Sequence, residues 1–381
     1  QGAPCPYSFS GLRLGRASKG LLSQPADATG MSPPKAQALP VKSARDMTAQ
    51  RILQEAIGQS VAALLARLQS RLTGASECAM EQPVPFMDKV QNIAIRAVLG
   101  GALLMPYELR VRVVGKVVAT LVSPFAGWRG RILRNLAYAY PEMTHADRRR
   151  VAKSVADNVG RTLIEIYSGE EFVARARQSE VVGPGLPALT AARDEKRPIV
   201  LVTAHLGNHD AVRSKLSREG YPMAALYRPM KNKRFHAHYL KAISTIAEPV
   251  YPTNGRGIAS LIKHLRGGGT IGIVADVVSR KAPLLRFFDK PAHTPVSAAE
   301  WAVKYDALMV PVFGLRQPDG LTFRLHVADP IPADEPEAMM QVYNDTVEEI
   351  VRAHPEQWFW VHRRWKLNKR VKLNGAERPP E

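Results

Sequence analysis

Cysteine is scarce in this sequence: Cys5 and Cys78 are the two cysteines among 381 residues. So few cysteines argue against a disulfide framework and exclude a cysteine-rich metal site. A reducing compartment fits this composition. Hydrophobic residues make up 45% of the chain, which is enough to build a sizeable core, so the chain is not disordered overall.

Long hydrophobic runs are also missing. No stretch of the sequence reaches the roughly 18 to 20 uninterrupted apolar residues of a membrane-spanning helix. The nearest stretches are 90–105, which Arg96 interrupts, and 111–125, which Lys116 interrupts. Two interpretations stay open for both: helices that lie on a bilayer face, and ordinary amphipathic helices of a core.

Acidic residues are few relative to basic ones. Lys and Arg total 53 against 34 Asp and Glu, which gives a formal net charge of +19 and an isoelectric point near 10.1. This excess favours anionic partners, such as nucleic acid, phospholipid or lipopolysaccharide headgroups, or an acidic carrier protein. Charge alone does not choose among them.

The sequence divides into three segments. Residues 1–82 are predicted to be an N-terminal extension, disordered in part, with one amphipathic helix within 42–72. Met31 could be an internal initiator, in which case the preceding residues are an upstream extension. Residues 83–374 are predicted to form the main domain, which begins at Pro83, and 375–381 a short tail.

From residue 198 onward, short apolar runs alternate with helical patterns. Most of these runs are continuously apolar, as in strands that are covered on both faces. The predicted strands are 198–203, 221–227, 270–275, 307–313 and 321–327. The predicted helices of this region are 234–246, 257–265, 297–304 and 339–353. This alternation predicts an α/β fold with a mixed, largely parallel central sheet flanked by helices.

A group of polar residues directly follows the first predicted strand, at the end where ligands bind in open α/β sheets. It begins with His205 and ends with Asp210. An alcohol is a weak nucleophile near neutral pH, so an imidazole that removes its proton would assist its attack. A carboxylate on the other ring nitrogen would fix the tautomer, and a turn through Gly207 would bring Asp210 to His205.

Two other interpretations of these residues remain open. His205, His209 and Asp210 could bind a metal ion, although the spacing lacks the glutamate of the HExxH pattern. The same residues could also be helix-capping and surface groups, since a six-residue pattern arises often by chance.

Several sequence blocks carry a resemblance to a known family. The segment 203–210 resembles the His-x4-acid block of the lysophospholipid acyltransferase superfamily. It is most similar to the branch of lipid A biosynthesis lauroyl/myristoyl acyltransferases and phosphatidylinositol mannoside acyltransferases. Further blocks follow in the same order: Arg134, Asn135 and Leu136 with Pro141 and Glu142; Gly160 and Arg161 with Glu165; Tyr227, Arg228 and Pro229 with Asn232; Asn254, Gly255 and Arg256; Asp276; Phe287 and Phe288 with Pro291 and Thr294; and 355–366.

The resemblance implies an O-acyltransferase domain with membrane-associated helices over 83–127. It implies His205 as general base with Asp210 as its partner, and no metal or cofactor. The donor would be an acyl-acyl carrier protein or acyl-CoA, and the acceptor a lipid A precursor or related anionic glycolipid. The implied location is the cytoplasmic face of the inner membrane, without nucleic acid as a partner. A non-catalytic basic module that binds acidic membrane or nucleic acid is the alternative.

The resemblance also implies a set of substrate contacts. Arg228 stands where the superfamily places a contact to the acceptor phosphate, and an Arg fork matches phosphate oxygens. The other residues assigned to substrate binding are Asn208, Arg256, Arg161, Glu165 and Asp276. The tail from Trp358 to Lys366 mixes aromatic and basic residues. That mixture is typical of a headgroup-level surface, of single-stranded nucleic acid binding, or of tryptophans packed under the sheet.

Overall fold

The computed structural model of the protein describes residues 84–279 and 281–367. The predicted N-terminal extension over 1–82, with its amphipathic helix, and the predicted tail over 375–381 lie outside the described residues. The predicted main domain is described from Val84 to Leu367.

Helices make up the first part of the described chain. The helix Tyr107–Val117 continues into a π-helical turn, Val118–Val122, and a helical turn, Ser123–Phe125. Thr144 caps the N-terminus of the long helix His145–Tyr167. Its hydroxyl oxygen accepts a hydrogen bond from the backbone N–H of Asp147 at 3.1 Å. The helices are α1 (Val84–Leu103), α2 (Tyr107–Val117), α3 (Trp128–Ala139), α4 (His145–Tyr167) and α5 (Glu170–Arg177).

Strands and helices alternate through the rest of the chain. The strands are β1 (Glu180–Val182), β2 (Ile199–Thr203), β3 (Met223–Tyr227), β4 (Val250–Pro252), β5 (Thr270–Val274), β6 (Leu284–Phe287), β7 (Lys290–His293), β8 (Leu308–Arg316) and β9 (Phe323–Val327). The helices are α6 (Leu186–Asp194), α7 (His209–Leu216), α8 (Lys233–Ile246), α9 (Gly255–Arg266), α10 (Ser297–Lys304) and α11 (Pro336–Ala353).

The central sheet has seven strands in the order β1-β9-β8-β2-β5-β3-β4. All neighbours are parallel except β8 and β9, and β6 and β7 form a separate antiparallel pair. All five residues of β2 are buried, with Val200 and Val202 in the cluster on one face and Ile199 and Leu201 in the cluster on the other. This two-sided burial explains the continuously apolar run in the sequence. The predicted α/β class with a largely parallel sheet is confirmed.

Large apolar side chains stand exposed along the N-terminal helices. The most exposed are Leu104 at 88% and Phe125 at 73%, and five others are Ile93, Val98, Leu109, Val117 and Leu121. On α2, exposed Arg112 and Lys116 share one side of the helix with Leu109, because residues three, four and seven apart are helical neighbours. Among the described residues, no helix combines the length and apolarity needed to cross a bilayer.

The aromatic residues of the tail lie inside the protein. Trp358, Trp360 and Trp365 are each at most 1% exposed, and Trp358 and Trp360 pack edge to face with ring centroids 4.7 Å apart. These rings are therefore closed off from lipid headgroups and nucleic acid bases. Of the three interpretations of the tail, packing under the sheet is the one that the structure supports.

Candidate active site

The ring of His205 is held by Asp276. Both residues follow a central strand by two positions, and the strands β2 and β5 are parallel neighbours that pair Thr203 with Val274. The backbone N–H of His205 donates to Asp276 Oδ2 at 2.9 Å, and its ring Nδ1 lies 2.7 Å from Asp276 Oδ1. Because an ionised carboxylate only accepts hydrogen bonds, Nδ1 carries the proton and Nε2 has the free lone pair.

The carboxylate of Asp276 is buried and well satisfied. Its side chain is 2% exposed, and the indole Nε1–H of Trp358 adds a third donor at 2.9 Å from Oδ2. Burial opposes ionisation, but the electrostatic interaction with His205, the hydrogen bonds from His205 and a smaller electrostatic interaction with His362 together hold the pKa of Asp276 below its usual value. The group is therefore an anion near neutral pH.

The family resemblance assigns Asp276 to substrate binding, whereas in the structure this residue contacts the candidate base and the C-terminal segment. Both of its oxygens are bonded to His205 or Trp358. The carboxylate faces the imidazole and is closed to substrate.

The structure does not show the expected bond between His205 and Asp210. Asp210 lies in the first turn of α7, where its Oδ1 accepts from Arg213 NH1 at 2.6 Å. Its second oxygen, Oδ2, has no hydrogen-bond partner among the described residues. Burial would raise the pKa of Asp210, but the nearby charges of His209, Arg213 and His205 and the Arg213 hydrogen bond lower it. Asp210 thus adds negative charge near His205 without bonding to the ring.

The loop between β2 and α7 requires a glycine. Gly207 has φ +56°, and a Cβ there would lie 2.1 Å from the carbonyl oxygen of Gly314. The loop also pairs with the C-terminal segment, because Gly207 N donates to Gln357 O at 3.0 Å and Phe359 N to His205 O at 2.8 Å. The segment around Trp358 therefore forms a wall of the site.

Asn208 and Glu165 belong to a buried network beneath this loop. Neither residue is exposed at all, and Asn208 Nδ2 donates to Glu165 Oε2 at 2.8 Å. Arg316 binds both oxygens of Glu165, at 2.5 and 2.7 Å. The structure thus places Asn208 and Glu165 in a buried network and not on the lining of the cavity beside His205. Their role is to hold α4, β8 and the loop together.

The three arginines assigned to substrate binding lie in different places. Arg161 pairs with Asp157 on the same helix and donates to Gly320 O at 3.2 Å, so it belongs to the edge of the buried network. Arg256 is exposed in the first turn of α9 and does not line the cavity beside His205. Arg228 directly follows β3, is half-buried and lines that cavity. Of the three, only Arg228 lies with His205.

An apolar cavity of about 190 Å³ opens beside His205. It runs between the sheet and the helices α7 and α8. Gly272 lines it, and a Cβ there would crowd Met223 Sδ at 3.2 Å. The apolar residues that line it include Leu201, Val212, Met223, Ala225, Ile243, Val250, Val274, Val277 and Val312. Such a lining suits a hydrocarbon chain.

A larger depression of about 770 Å³ lies at the opposite edge of the sheet, where β2 and β5 begin. Its basic lining residues are Arg193, Lys196, Lys263 and His264. This basin contains none of the residues around His205. Although this depression is the larger of the two, His205 and Asp276 lie at the other edge of the sheet, so the candidate active site is placed there.

Three potential metal ligands come together, but not those expected from the sequence. One ligand atom each from His205, Asp276 and His362 lies within 4.8 Å of the others. His205 and Asp276 are bonded directly to each other at 2.7 Å, and Trp358 occupies the second carboxylate oxygen. Hydrogen bonds thus account for this arrangement. His209 and Asp210 lie outside the group.

The sequence patterns do not connect Trp358 and His362 with His205. Part of the signal that joins His205 to Asp276 is present, since both residues directly follow apolar strand runs, but the sequence does not mark these two strands as neighbours. Adjacent parallel strands bring such positions to one edge of a sheet. No comparable signal marked the C-terminal segment.

A histidine held by a buried carboxylate at this edge, beside an apolar cavity, marks the candidate active site of an α/β enzyme. The chain belongs to the bacterial lipid A biosynthesis acyltransferase family, whose pattern it matches over residues 87–367. It is therefore an acyltransferase of that family.

Curated proteins that are similar to this chain are also named as acyltransferases. The lipid A biosynthesis lauroyltransferase of Escherichia coli K12 is 26% identical over 271 residues, which cover 69% of this chain and 87% of the relative. The lipid A biosynthesis acyltransferase of Haemophilus influenzae is 23% identical over 265 residues, covering 68% and 81%. The phosphatidylinositol mannoside acyltransferase of Mycobacterium tuberculosis is 24% identical over 194 residues, covering 50% and 61%. Both parts of the expected branch thus appear among the relatives.

Proposed function

We propose that the protein transfers a fatty acyl chain from an acyl thioester to a hydroxyl of a lipid A precursor or related anionic glycolipid, with His205 as general base. The observation that carries this proposal is the His205–Asp276 pair beside the apolar cavity. The names of the relatives support the acceptor class.

In the proposed reaction, His205 Nε2 removes the proton of the acceptor hydroxyl as its oxygen attacks the thioester carbonyl. A carbon–oxygen bond forms, and the carbon–sulfur bond breaks as the tetrahedral intermediate collapses. The leaving thiolate takes the proton from the imidazolium, so the products are an ester and a thiol. Asp276 stabilises the imidazolium while it exists, and Asp210 adds to the negative field around it.

The cavity of about 190 Å³ would hold part of the donor chain. Each methylene buried against its apolar lining contributes roughly 0.8 kcal/mol, so the buried part of the chain would position the thioester at the mouth, near His205. Arg228 lines the same cavity, and its guanidinium is suited to orient a phosphate of the acceptor. The thioester would come from acyl carrier protein or coenzyme A, and the high positive charge of the chain favours an acidic carrier.

A direct assay tests this function. Purified protein is incubated with a lipid A precursor and a radiolabelled acyl chain on acyl carrier protein or, separately, on coenzyme A. We expect the label to enter a lipid product through an ester bond that mild base hydrolyses. Labelled free fatty acid alone, or no product with either donor, would contradict the proposal. Mass spectrometry of membrane lipids from a deletion strain would identify the natural acceptor.

We further propose that the N-terminal helices dock the enzyme on the cytoplasmic face of the inner membrane. The exposed apolar side chains from Ile93 to Phe125 support this role, and exposed Arg96, Arg112 and Lys116 would meet anionic headgroups. Docking there would bring the enzyme to its lipid acceptor.

The double variant Leu121→Glu with Phe125→Glu is expected to lower binding to anionic phospholipid vesicles by at least about tenfold, because two exposed apolar side chains that docking would bury in the bilayer are replaced by negative charges. Vesicle flotation measures this directly. Val342→Glu on α11, where Val342 is 45% exposed, is the matched control and should bind normally. Equal binding by the double variant and the wild type would refute docking through this face.

A further inference from the structure

His362 contacts the reactive imidazole from the C-terminal segment. Its Nε2 lies 3.1 Å from His205 Nδ1 although the two residues are 157 positions apart in the chain. The rings meet edge to face with centroids 4.8 Å apart, and His362 is 3% exposed. Two ring nitrogens this close cannot both carry a proton or both present a lone pair, so one of them donates a hydrogen bond and the other accepts it.

The neighbouring carboxylate decides that state. Asp276 Oδ1, 2.7 Å away, can only accept, so His205 Nδ1 carries a proton. His362 Nε2 must therefore present its lone pair to the same proton, because a second N–H at 3.1 Å would oppose the first. In addition, His362 Nε2 is 3.8 Å from Asp276 Oδ2, too far for it to donate a hydrogen bond there.

The surroundings keep His362 neutral and fixed. Burial, partly opposed by the charge of Asp276, lowers the pKa of His362 to about 3, and the charges of His205 and Arg364 lower it further. Asn135 Nδ2 donates to the carbonyl oxygen of His362 at 2.7 Å. The ring of Phe359 packs edge to face on that of His362, with centroids 4.8 Å apart. The lone pair is thus available at every pH at which the enzyme would operate.

We infer that His362 is a positioning residue that shares the Nδ1 proton of His205 with Asp276 and thereby keeps Nε2 of His205 free as the base. This inference rests on the proposed role of His205. As His205 becomes an imidazolium during attack, its Nδ1–H becomes a stronger donor, so the contact with His362 strengthens. The contribution should then appear in kcat and leave KM unchanged.

Two substitutions separate this role from simple packing. His362→Leu removes the acceptor, while His362→Gln can place an amide oxygen near Nδ1. We expect His362→Leu to lower kcat about tenfold, with KM for both substrates unchanged. Losing an acceptor that favours the imidazolium should also lower the acid-limb midpoint of the pH–rate profile by about half a unit. His362→Gln should restore most of the activity and the midpoint.

Nitrogen-15 spectra of histidine-labelled protein test the inference without any substrate. Asp276 should keep His205 as the Nδ1–H tautomer in all three proteins, but the Nδ1 and Nδ1–H resonances of His205 should shift in His362→Leu and return toward their wild-type positions in His362→Gln, because only His362→Leu loses the second acceptor of that proton. This readout remains decisive even if the wild type does not transfer acyl groups. Signals are assigned by their loss in His205→Gln.

His354→Leu, on the same C-terminal stretch but outside this group, is the control and should match the wild type. Normal kcat in His362→Leu would overturn the inference. So would equal losses in both His362 variants with an unchanged acid-limb midpoint and unchanged Nδ1 resonances, since that pattern indicates packing alone. If His362→Leu does not fold, His362→Gln decides: near-normal kcat and Nδ1 resonances support the inference, and a tenfold loss of kcat contradicts it.

Discussion

Replacing His205 with alanine is expected to lower kcat for acyl transfer by about 10⁴-fold, the upper range for loss of a general base. The acceptor hydroxyl would then have no group to take its proton during attack. The fold should survive, because the backbone N–H of His205, which donates to Asp276 at 2.9 Å, is retained. Transfer of a radiolabelled acyl chain to a lipid A precursor measures the effect, and thermal unfolding checks the fold.

His205→Gln is the matched variant, since it keeps polarity and approximate size but cannot act as a base near neutral pH. Its activity should be as low as that of the alanine variant. His354→Ala, outside the site, should be fully active. Turnover within tenfold of the wild type in both His205 variants would exclude His205 as the base, even if the family assignment stands.

Most of the sheet could be predicted because burial leaves a pattern in the sequence. β2, β3, β5 and β8 are covered on both faces and appear as continuous apolar runs. β1 and β4 have three residues each, too few to show a period, and they were not predicted. The β6–β7 pair, also unpredicted, contains Arg286, Lys290 and Pro291, so its composition does not mark it as strand.

The partner of the base was harder to predict than the base itself. A nearby carboxylate in the sequence, Asp210, suggested a local pair, but α7 turns that side chain toward Arg213. The carboxylate that binds the ring stands 71 positions away. Sequence order does not give strand order, so the adjacency of β2 and β5 was not available from the pattern alone.

Buried polar residues were the other source of error. The family resemblance assigns Glu165 and Asn208 to substrate binding, and such side chains are mostly exposed. In the structure Arg316 neutralises Glu165, so the pair tolerates complete burial. The sequence shows the charges but not their pairing. The same ambiguity affected Trp358, whose indole suits an interface or a core equally well.

The second large effect is expected from replacing Asp276, the carboxylate that hydrogen-bonds to His205. Asp276→Asn keeps the shape of the side chain but can place an amide N–H against His205 Nδ1. The imidazole would then hold its proton on Nε2, the nitrogen that must accept the proton of the acceptor hydroxyl. We expect kcat to fall by about 10³- to 10⁴-fold, as expected for a base in the wrong tautomer. The same acyl-transfer assay measures it.

Asp210→Asn is the matched comparison, because both carboxylates are buried and lie near the same ring. It weakens the pair with Arg213, so it should reduce the free energy of unfolding by about 1–3 kcal/mol. His205 would keep its bond to Asp276, so kcat should fall less than about tenfold. The reverse order, with Asp210→Asn folded but inactive and Asp276→Asn near normal, would return the role of partner to Asp210. Because the two substitutions make the same chemical change, a difference in kcat between them reports which carboxylate fixes the proton on the ring.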